Sequence, residues 1–297
     1  MKRKTVISII ICGVLLVMLV LGIVFRYDIF YGFTSLRTIK IDSENTTTSI
    51  MTFNIRCANN SDKNKLNWKY RASLISDIYQ EYQPSIICMQ ENKKSQYQFF
   101  KKYLKGYDSV KEYRDDTILT ECVPIFFRKD MYTLVSTKTF WLSDTPDKMS
   151  NTWDAYYNRI CTIVVLKSNI TDQELLVANT HLDYKNNKIK QKSIDLIFEK
   201  LSEYSMPTII MGDFNFKSTS NMYQYAITKF DDVGNNFEVN NTATINKFKS
   251  EYPNNKIDYM FQKAGSFEVD NYQIINKKIK GNYASDHFPI YAELTIK

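Results

Sequence analysis

Apolar and polar positions along the chain follow two rhythms. Short apolar runs, continuous or alternating, predict strands at "SIMTFNI" (49–55), "SIICMQE" (85–91), "MPTIIMGDFN" (206–215), "KIDYMFQ" (256–262) and "FPIYAELTI" (288–296). "VPIFFRKDMYTLVSTKTFWLS" (123–143) predicts a strand pair, and "RICTIVVLKS" with "ELLVANTHLD" predicts a hairpin around Asn169. Helical spacing appears in "WKYRASLISDIYQEYQP" (68–84), where Ala72, Ile75, Ile78, Tyr79 and Tyr82 share a face and Pro84 stops the run. It returns in "KIKQKSIDLIFEKLSEY" (188–204), with Ile194, Ile197, Phe198 and Leu201 on one side. "KSQYQFFKKYLKG" (94–106) predicts a short helix closed by Gly106. The alternation of elements is that of a mixed α/β domain.

A different pattern opens the chain. Lys2, Arg3 and Lys4 precede an uncharged run, Thr5–Phe25, which Arg26 closes. A helix needs roughly 20 apolar residues to span a bilayer, and cations ahead of it favour an N-terminus on the cytoplasmic side. The expectation is an uncleaved anchor over 1–26 and a domain held outside the cytoplasm. A cleaved signal peptide would have a shorter apolar stretch and a small-residue cleavage site. Residues 27–48, with the aperiodic "IDSENTTTS", read as a tether, and 49–297 as one large domain.

Composition narrows the partners. Of the formal charge of +7, Lys2, Arg3, Lys4 and Arg26 supply four, so the remainder is close to neutral. That is a weak footprint for a dedicated nucleic-acid binder. The basic run "KNNKIKQKS" (185–193) reads as a solvated helix face. Beyond Cys12, four cysteines remain, at 57, 88, 122 and 161. Their apolar contexts favour free buried thiols over a disulfide frame, and no C-x-x-C pair suggests zinc.

Several apolar runs end in polar groups that strand-making does not require. Asn54 and Glu91 end two of them; His181 with Asp183, and Asp213 with Asn215, end two more. Asp258 interrupts another, and Asp286 with His287 opens the last. The chain has only two histidines, and both are in this set. Polar groups at strand ends can converge on one rim of a sheet. Residues two apart share a strand face, which would pair His181 with Asp183 and Asp213 with Asn215. Gly212, before Asp213, permits close approach of another backbone or of a substrate. Carboxylate and amide oxygens without clustered thiols suit a hard cation, Mg²⁺ or Mn²⁺. Aspartate, histidine and such a cation together suit hydrolysis of a phosphate ester. The serine nucleophile elbow and the Gly-rich phosphate loop have no counterpart in the sequence.

"MTFNIR", "CMQEN", "ANTHLD", "MGDFNF", "KIDYMF" and "SDHFPI", in that order, resemble the endonuclease/exonuclease/phosphatase superfamily with its deoxyribonuclease-I-like fold. "FWLSDTPDK" followed by "WDAYYNRIC" also resembles a bacterial branch of it. The resemblance covers roughly residues 49–297 and implies a two-sheet β-sandwich flanked by helices, with a site at one end. Carried over residue by residue, Glu91 would ligate the metal with Asn54 beside it and Asp286 near. Asp213 would activate the attacking water, steadied by Asn215. His287, held by Asp258, would bind the scissile phosphate. His181 would be a second phosphate-facing histidine, and Arg159 would approach the phosphate. Asp154 and Trp153 are further candidates for substrate contact. This chain departs from the branch at Tyr184, where a histidine is common after "THLD".

The expected function is a membrane-anchored, divalent-metal-dependent phosphoesterase, a monomer, acting on a lipid headgroup, a small phosphorylated metabolite or a nucleic acid. An endonuclease acting outside the cytoplasm is the alternative. A non-catalytic binding module on the same fold is a third reading, which the full set of polar residues opposes.

Overall fold

The computed structural model describes residues 11–19, 38–249 and 255–297. Most of the expected anchor and half of the tether lie outside them. Residues 11–19 are helical and exposed, and among the described residues no helix is long and apolar enough to cross a membrane.

Two six-stranded sheets make the body of the domain. The first has the order β13-β14-β1-β2-β6-β4, built from β1 (Thr48–Asn54), β2 (Ile86–Gln90), β4 (Tyr107–Val110), β6 (Ile125–Arg128), β13 (Phe267–Ile274) and β14 (Ile290–Ile296). The second has the order β11-β12-β10-β9-β8-β7. Its strands are β7 (Tyr132–Trp141), β8 (Ile160–Ser168), β9 (Glu174–His181), β10 (Thr208–Asp213), β11 (Asp231–Asp232) and β12 (Asp258–Gln262). A short ladder joins β3 (Asn92–Lys93) to β5 (Glu121–Cys122). Helices α1 (Trp68–Tyr82) and α2 (Lys94–Tyr103) accompany the first sheet, and α3 (Asn187–Ser202) and α4 (Asn221–Ala226) the second.

Strand alternation sorts the apolar side chains into three layers. Met51, Phe53, Ile87 and Met89 face α1 and α2, where they meet Ile75, Tyr79 and Phe100. Ile50, Ile86 and Cys88 face inward, as do Val164, Val177, Ile209, Met211 and Met260 of the second sheet. Ile163, Val165, Ala178 and Ile210 face outward against Ile194, Ile197 and Leu201 of α3. The result is helices, sheet, sheet, helices. The five cysteines are all unpaired, with Cys88, Cys122 and Cys161 buried.

Some expectations are corrected. The run 123–143 does hold two strands, but they do not pair: β6 joins β2 and β4, whereas β7 joins β8 in the other sheet. Gly106 does not close α2, which is capped at Leu104. Residues 38–47, expected in the tether, pack on the domain. Ile39 is buried in the α1–α2 core, and the Lys40 and Asp42 N–H groups donate to the side chains of Gln80 and Gln83. The basic stretch of α3 is solvated except at Lys190, which is buried.

Candidate active site

The inner faces of the two sheets change from apolar to polar at one end. Alternation places Thr52 and Asn54 after Ile50, Gln90 after Cys88, Asn179 and His181 after Val177, Asp213 after Met211, and Asp258 before Met260. In the second sheet Asp213 is directly opposite both His181 and Asp258 in the ladder. A single cross-strand row therefore reads His181, Asp213, Asp258. In the first sheet Asn54 is level with Gln90. The sandwich presses these two polar ends together.

Below them a polar layer joins the sheets. Gln90 Nε2 donates to Thr52 Oγ1 at 2.9 Å and to Asn179 Oδ1 at 2.8 Å. Asn179 Nδ2 donates to the carbonyls of Met89 and Pro124, both at 2.9 Å. These bonded amide donors fix the mutual position of the two sheets more specifically than apolar contact does, although Gln90 Oε1 is left without a partner among the described residues.

Asn54 Nδ2 donates to Glu91 Oε1 at 3.1 Å and to Asp213 Oδ2 at 3.0 Å, so one amide ties the carboxylates of both sheets. Strict alternation after Gln90 would point Glu91 at the helices. A left-handed backbone at Glu91, φ 58°, turns the side chain back, and the Cys57 N–H donates to Oε2 at 2.9 Å. Burial pushes the Glu91 pKa up, but the Cys57 N–H, the charge of His287 and the Asn54 amide outweigh it, leaving the pKa below the ordinary value. Asn215, also left-handed at φ 53°, donates its N–H to Asp213 Oδ1 at 2.9 Å and its amide to the Leu182 carbonyl at 3.1 Å. Gly212 serves the neighbouring backbone: a Cβ there would lie 2.0 Å from the Thr180 carbonyl oxygen.

The two histidines have opposite electrostatic surroundings. His287 Nδ1 lies 2.8 Å from Asp258 Oδ2. Burial favours its neutral ring, but Asp258, Asp213 and Asp286 outweigh this and raise its pKa well above 6.5. His181 has Nε2 3.5 Å from Asp213 Oδ2. Burial, then Arg159 and Arg114, hold its pKa well below 6.5, so the ring is neutral and the contact is not an ion pair. Asp213 is raised to about 7, first by burial and then by Asp258. Asp213, Asp258 and His287 offer ligand atoms within 4.8 Å of one another. Asp258 and the other carboxylates around it favour the protonated ring of His287, which in that state is a hydrogen-bond donor.

Asp286 is reached by Arg56, whose Nη1 lies 2.6 Å from Oδ2 and whose other nitrogens hold Asp62. Arg159 is buried, and its guanidinium has no hydrogen bond or ion pair to a described residue; it lines a small cleft with Glu91, Arg114, Glu121, Asn158 and His181. Asp183 is not part of the row: its oxygens accept the backbone N–H groups of Tyr156, Lys185 and Asn186. Asp154 is exposed, left-handed at φ 57°, and no described side chain or backbone group bonds to it. Trp153 Nε1 donates to Asp144 at 2.7 Å. A cavity of about 610 Å³ among Phe230, Phe237 and Phe267 lies apart from all of these residues.

Sequence reading did not single out Gln90, Asn179, Arg56 or Arg114. Gln90 and Asn179 stand inside "CMQEN" and "ANTHLD" at inward positions, so parity could have found them. Arg56 and Arg114 lie in loops, where no local pattern marks a long-range partner.

The sequence profile described as the Endonuclease/Exonuclease/phosphatase family matches residues 51–287. Among solved structures, a family protein from Bacteroides thetaiotaomicron is 31% identical with a TM-score of 0.79, over 85% of this chain and 98% of that one. A mannosyl-6-phosphatase from the same organism is 30% identical with a TM-score of 0.78, over 84% of this chain and 100% of that one. The CCR4-Not complex 3'-5'-exoribonuclease subunit Ccr4 of Candida albicans is 24% identical over 194 residues, 54% of this chain. The chain spans only 25% of that relative's length.

Proposed function

The chain belongs to the endonuclease/exonuclease/phosphatase family of phosphate-ester hydrolases, and we propose that it is a divalent-metal-dependent phosphoesterase. The observation that carries this reading is the cross-strand row His181–Asp213–Asp258, with His287 on Asp258 and Asn54 bridging Asp213 to Glu91.

In this reading Asp213 accepts a proton from the attacking water. Its raised pKa brings it near neutrality, where a base both exists ionised and retains affinity for the proton. Asn215 and Asn54 hold its two oxygens in place. His287, kept protonated by Asp258, donates from Nε2 to the phosphoryl oxygen on which charge develops. His181, neutral, offers a second contact, and Arg159 brings a guanidinium with no acceptor among the described residues. A substrate contact from Asp154, exposed two residues before Tyr156, remains part of the proposal.

A divalent cation fits the donor set. Glu91 and Asp286 are carboxylates with lone pairs left over after their protein contacts, and Asn54 adds an amide oxygen. The neighbouring Cys57 thiol is pushed up to about 12, chiefly by burial, and stays protonated, so the ligands are oxygen only. Glu91, Asp286 and Asn54 would hold Mg²⁺ or Mn²⁺, which when bound would supply charge neutralisation at the phosphate oxygens.

The apolar run Thr5–Phe25 and the cations ahead of it support an anchored protein with its catalytic domain outside the cytoplasm; the proposed state is a monomer and the proposed substrate a lipid headgroup, a small metabolite or a nucleic acid. The test is hydrolysis of a panel of phosphate esters by the full chain with Mg²⁺ and with excess chelator, repeated for Glu91→Gln. Activity should vanish in chelator. Glu91→Gln should require more Mg²⁺ for half-maximal rate with little change in thermal midpoint. Full activity in chelator would remove the metal from the mechanism.

A further inference from the structure

Three tyrosines stand together beside the catalytic cleft with much of their surface in water: Tyr156 is 55% exposed, Tyr157 42% and Tyr184 43%. Tyr156 meets Tyr157 at a centroid distance of 4.7 Å and 87°, and Tyr184 at 5.4 Å and 73°. Exposed aromatic patches that do not pack a core mark recognition surfaces.

Two links tie this patch to the site. The guanidinium groups of Arg114 and Arg159 lie over the Tyr157 ring at 4.3 and 5.5 Å, and both arginines line the cleft with His181 and Glu91. The buried Asp183, two residues after His181, accepts the N–H of Tyr156 at 3.0 Å and of Lys185 at 2.8 Å. That carboxylate fastens the loop carrying Tyr156 and Tyr157 to the segment carrying Tyr184 and Lys185. The Lys185 ammonium lies 4.0 Å from the Tyr156 centroid and 5.3 Å from that of Tyr184.

Resting on the phosphoesterase reading, we infer that Tyr156, Tyr157, Tyr184 and Lys185 form the subsite for the alcohol half of the substrate, and that this half is a hydroxylated saturated ring, so that the substrate is a sugar phosphate. The patch continues outward from the cleft that Arg114 and Arg159 line with Glu91 and His181, so the alcohol half of an ester whose phosphate is held there would lead onto it. Its chemistry matches a sugar. The phenol hydroxyls and the ammonium donate to sugar oxygens, and sugar hydroxyls can donate back to the phenol oxygens. It matches a nucleobase less well. Base stacking needs an open aromatic face, whereas these rings meet edge to face, with cations over Tyr156, Tyr157 and Tyr184. An acyl chain would make no use of the three phenols and the ammonium.

The experiment compares glucose 6-phosphate, glycerol 3-phosphate and adenosine 5'-monophosphate as substrates of the full chain, in the wild type and in Tyr156→Ala and Tyr184→Ala. Both side chains are exposed, so their loss should leave the thermal midpoint in place. Each truncation should raise KM for glucose 6-phosphate by about three- to tenfold, with kcat within about twofold, because contacts to the alcohol half act on ground state and transition state alike. The preference for glucose 6-phosphate over glycerol 3-phosphate should fall by the same factor. An equal loss on glycerol 3-phosphate, or no loss on glucose 6-phosphate, overturns the subsite. A loss on adenosine 5'-monophosphate as large as that on glucose 6-phosphate overturns the sugar assignment in favour of a base. A wild type that hydrolyses none of the three overturns the sugar-phosphate subsite; the phosphoesterase reading falls with it only if the wider panel of phosphate esters, diesters included, is also left intact in the presence of Mg²⁺.

Discussion

Replacing Asp258 by asparagine removes one negative charge and almost no volume. In the native protein its Oδ2 is 2.8 Å from His287 Nδ1, and both side chains are buried, at 2% and 6% exposure. Burial works against the imidazolium, and Asp258 is the first of the charges that overcome it. An opposite charge at this range moves a pKa by about 1–3, and each step of one is worth about 1.4 kcal/mol between the two protonation states. The asparagine carbonyl can still accept from Nδ1, so the ring should stay in place while its affinity for the proton falls.

The chain contains only two histidines, so imidazole resonances report the effect directly. In the wild type neither should titrate near 6.5: His287 is held well above and His181 well below. In Asp258→Asn the His287 signals should move down by about one to three pH units. The alkaline limb of kcat/KM should retreat by the same amount, with the rate below pH 6 least affected. The stability sign agrees. A histidine raised in the folded state contributes stability that is fully present below about 6.5 and lost as pH rises through the folded pKa. The variant should therefore be less stable than the wild type at pH 6, with the difference closing in the alkaline range. A His287 that keeps its proton to the same pH without Asp258, or an alkaline limb that does not move, refutes the coupling.

Asp213→Asn should lower turnover by about 10²–10⁴. Its pKa, raised to about 7 from 3.8, means that the native carboxyl contributes stability below pH 4 and loses it as pH rises through 7. The unfolding free energy of the variant relative to wild type should therefore climb by about 1.4 kcal/mol per pH unit across that window; a flat difference would show that Asp213 ionises normally. Arg71→Met tests the scaffold. Arg71 is fully buried and donates to the carbonyls of Ile55, Arg56, Leu66 and Ala284. Leaving such carbonyls unpartnered costs about 1–3 kcal/mol, or about 2–4 °C of midpoint per kcal/mol in a domain of this size. A variant that melts with the wild type would deny Arg71 that role.

Local pattern was enough to find β1, α1, β2, α3 and the β8–β9 hairpin, because each carries its periodicity within one short stretch. It misled between residues 123 and 143. Two strands joined by a short turn usually pair, but Arg128 directs the chain elsewhere. Its guanidinium holds the Asp130 carboxylate and the carbonyls of Asp42 and Asn45, anchoring the turn so that β7 leaves for the second sheet. β13 escaped notice for another reason. It is an edge strand with a register shift between Val269 and Asn271, and "FEVDNYQI" alternates poorly.

The site was legible to the same degree and for the same reason. Asn54, Asp213, Asp258 and His181 interrupt apolar runs, and strand parity then dictates that they share the inner faces of the sandwich. Glu91 and Asn215 do not follow parity. Each reaches the site through a left-handed residue just past a strand end, which no alternation rule places. The charge states were beyond any local reading. His181 and His287 differ little in sequence context, each standing beside an aspartate at a strand end. What separates them is three-dimensional: two arginines from distant loops face one ring, and an aspartate from a neighbouring strand bonds the other. A cleft holding one neutral imidazole and one imidazolium around a carboxyl poised near 7 can accept a proton at one point and donate a hydrogen bond at another. The proposed hydrolysis of a phosphate ester would use that pairing, and it arises from the packing of the two sheets and not from either histidine alone.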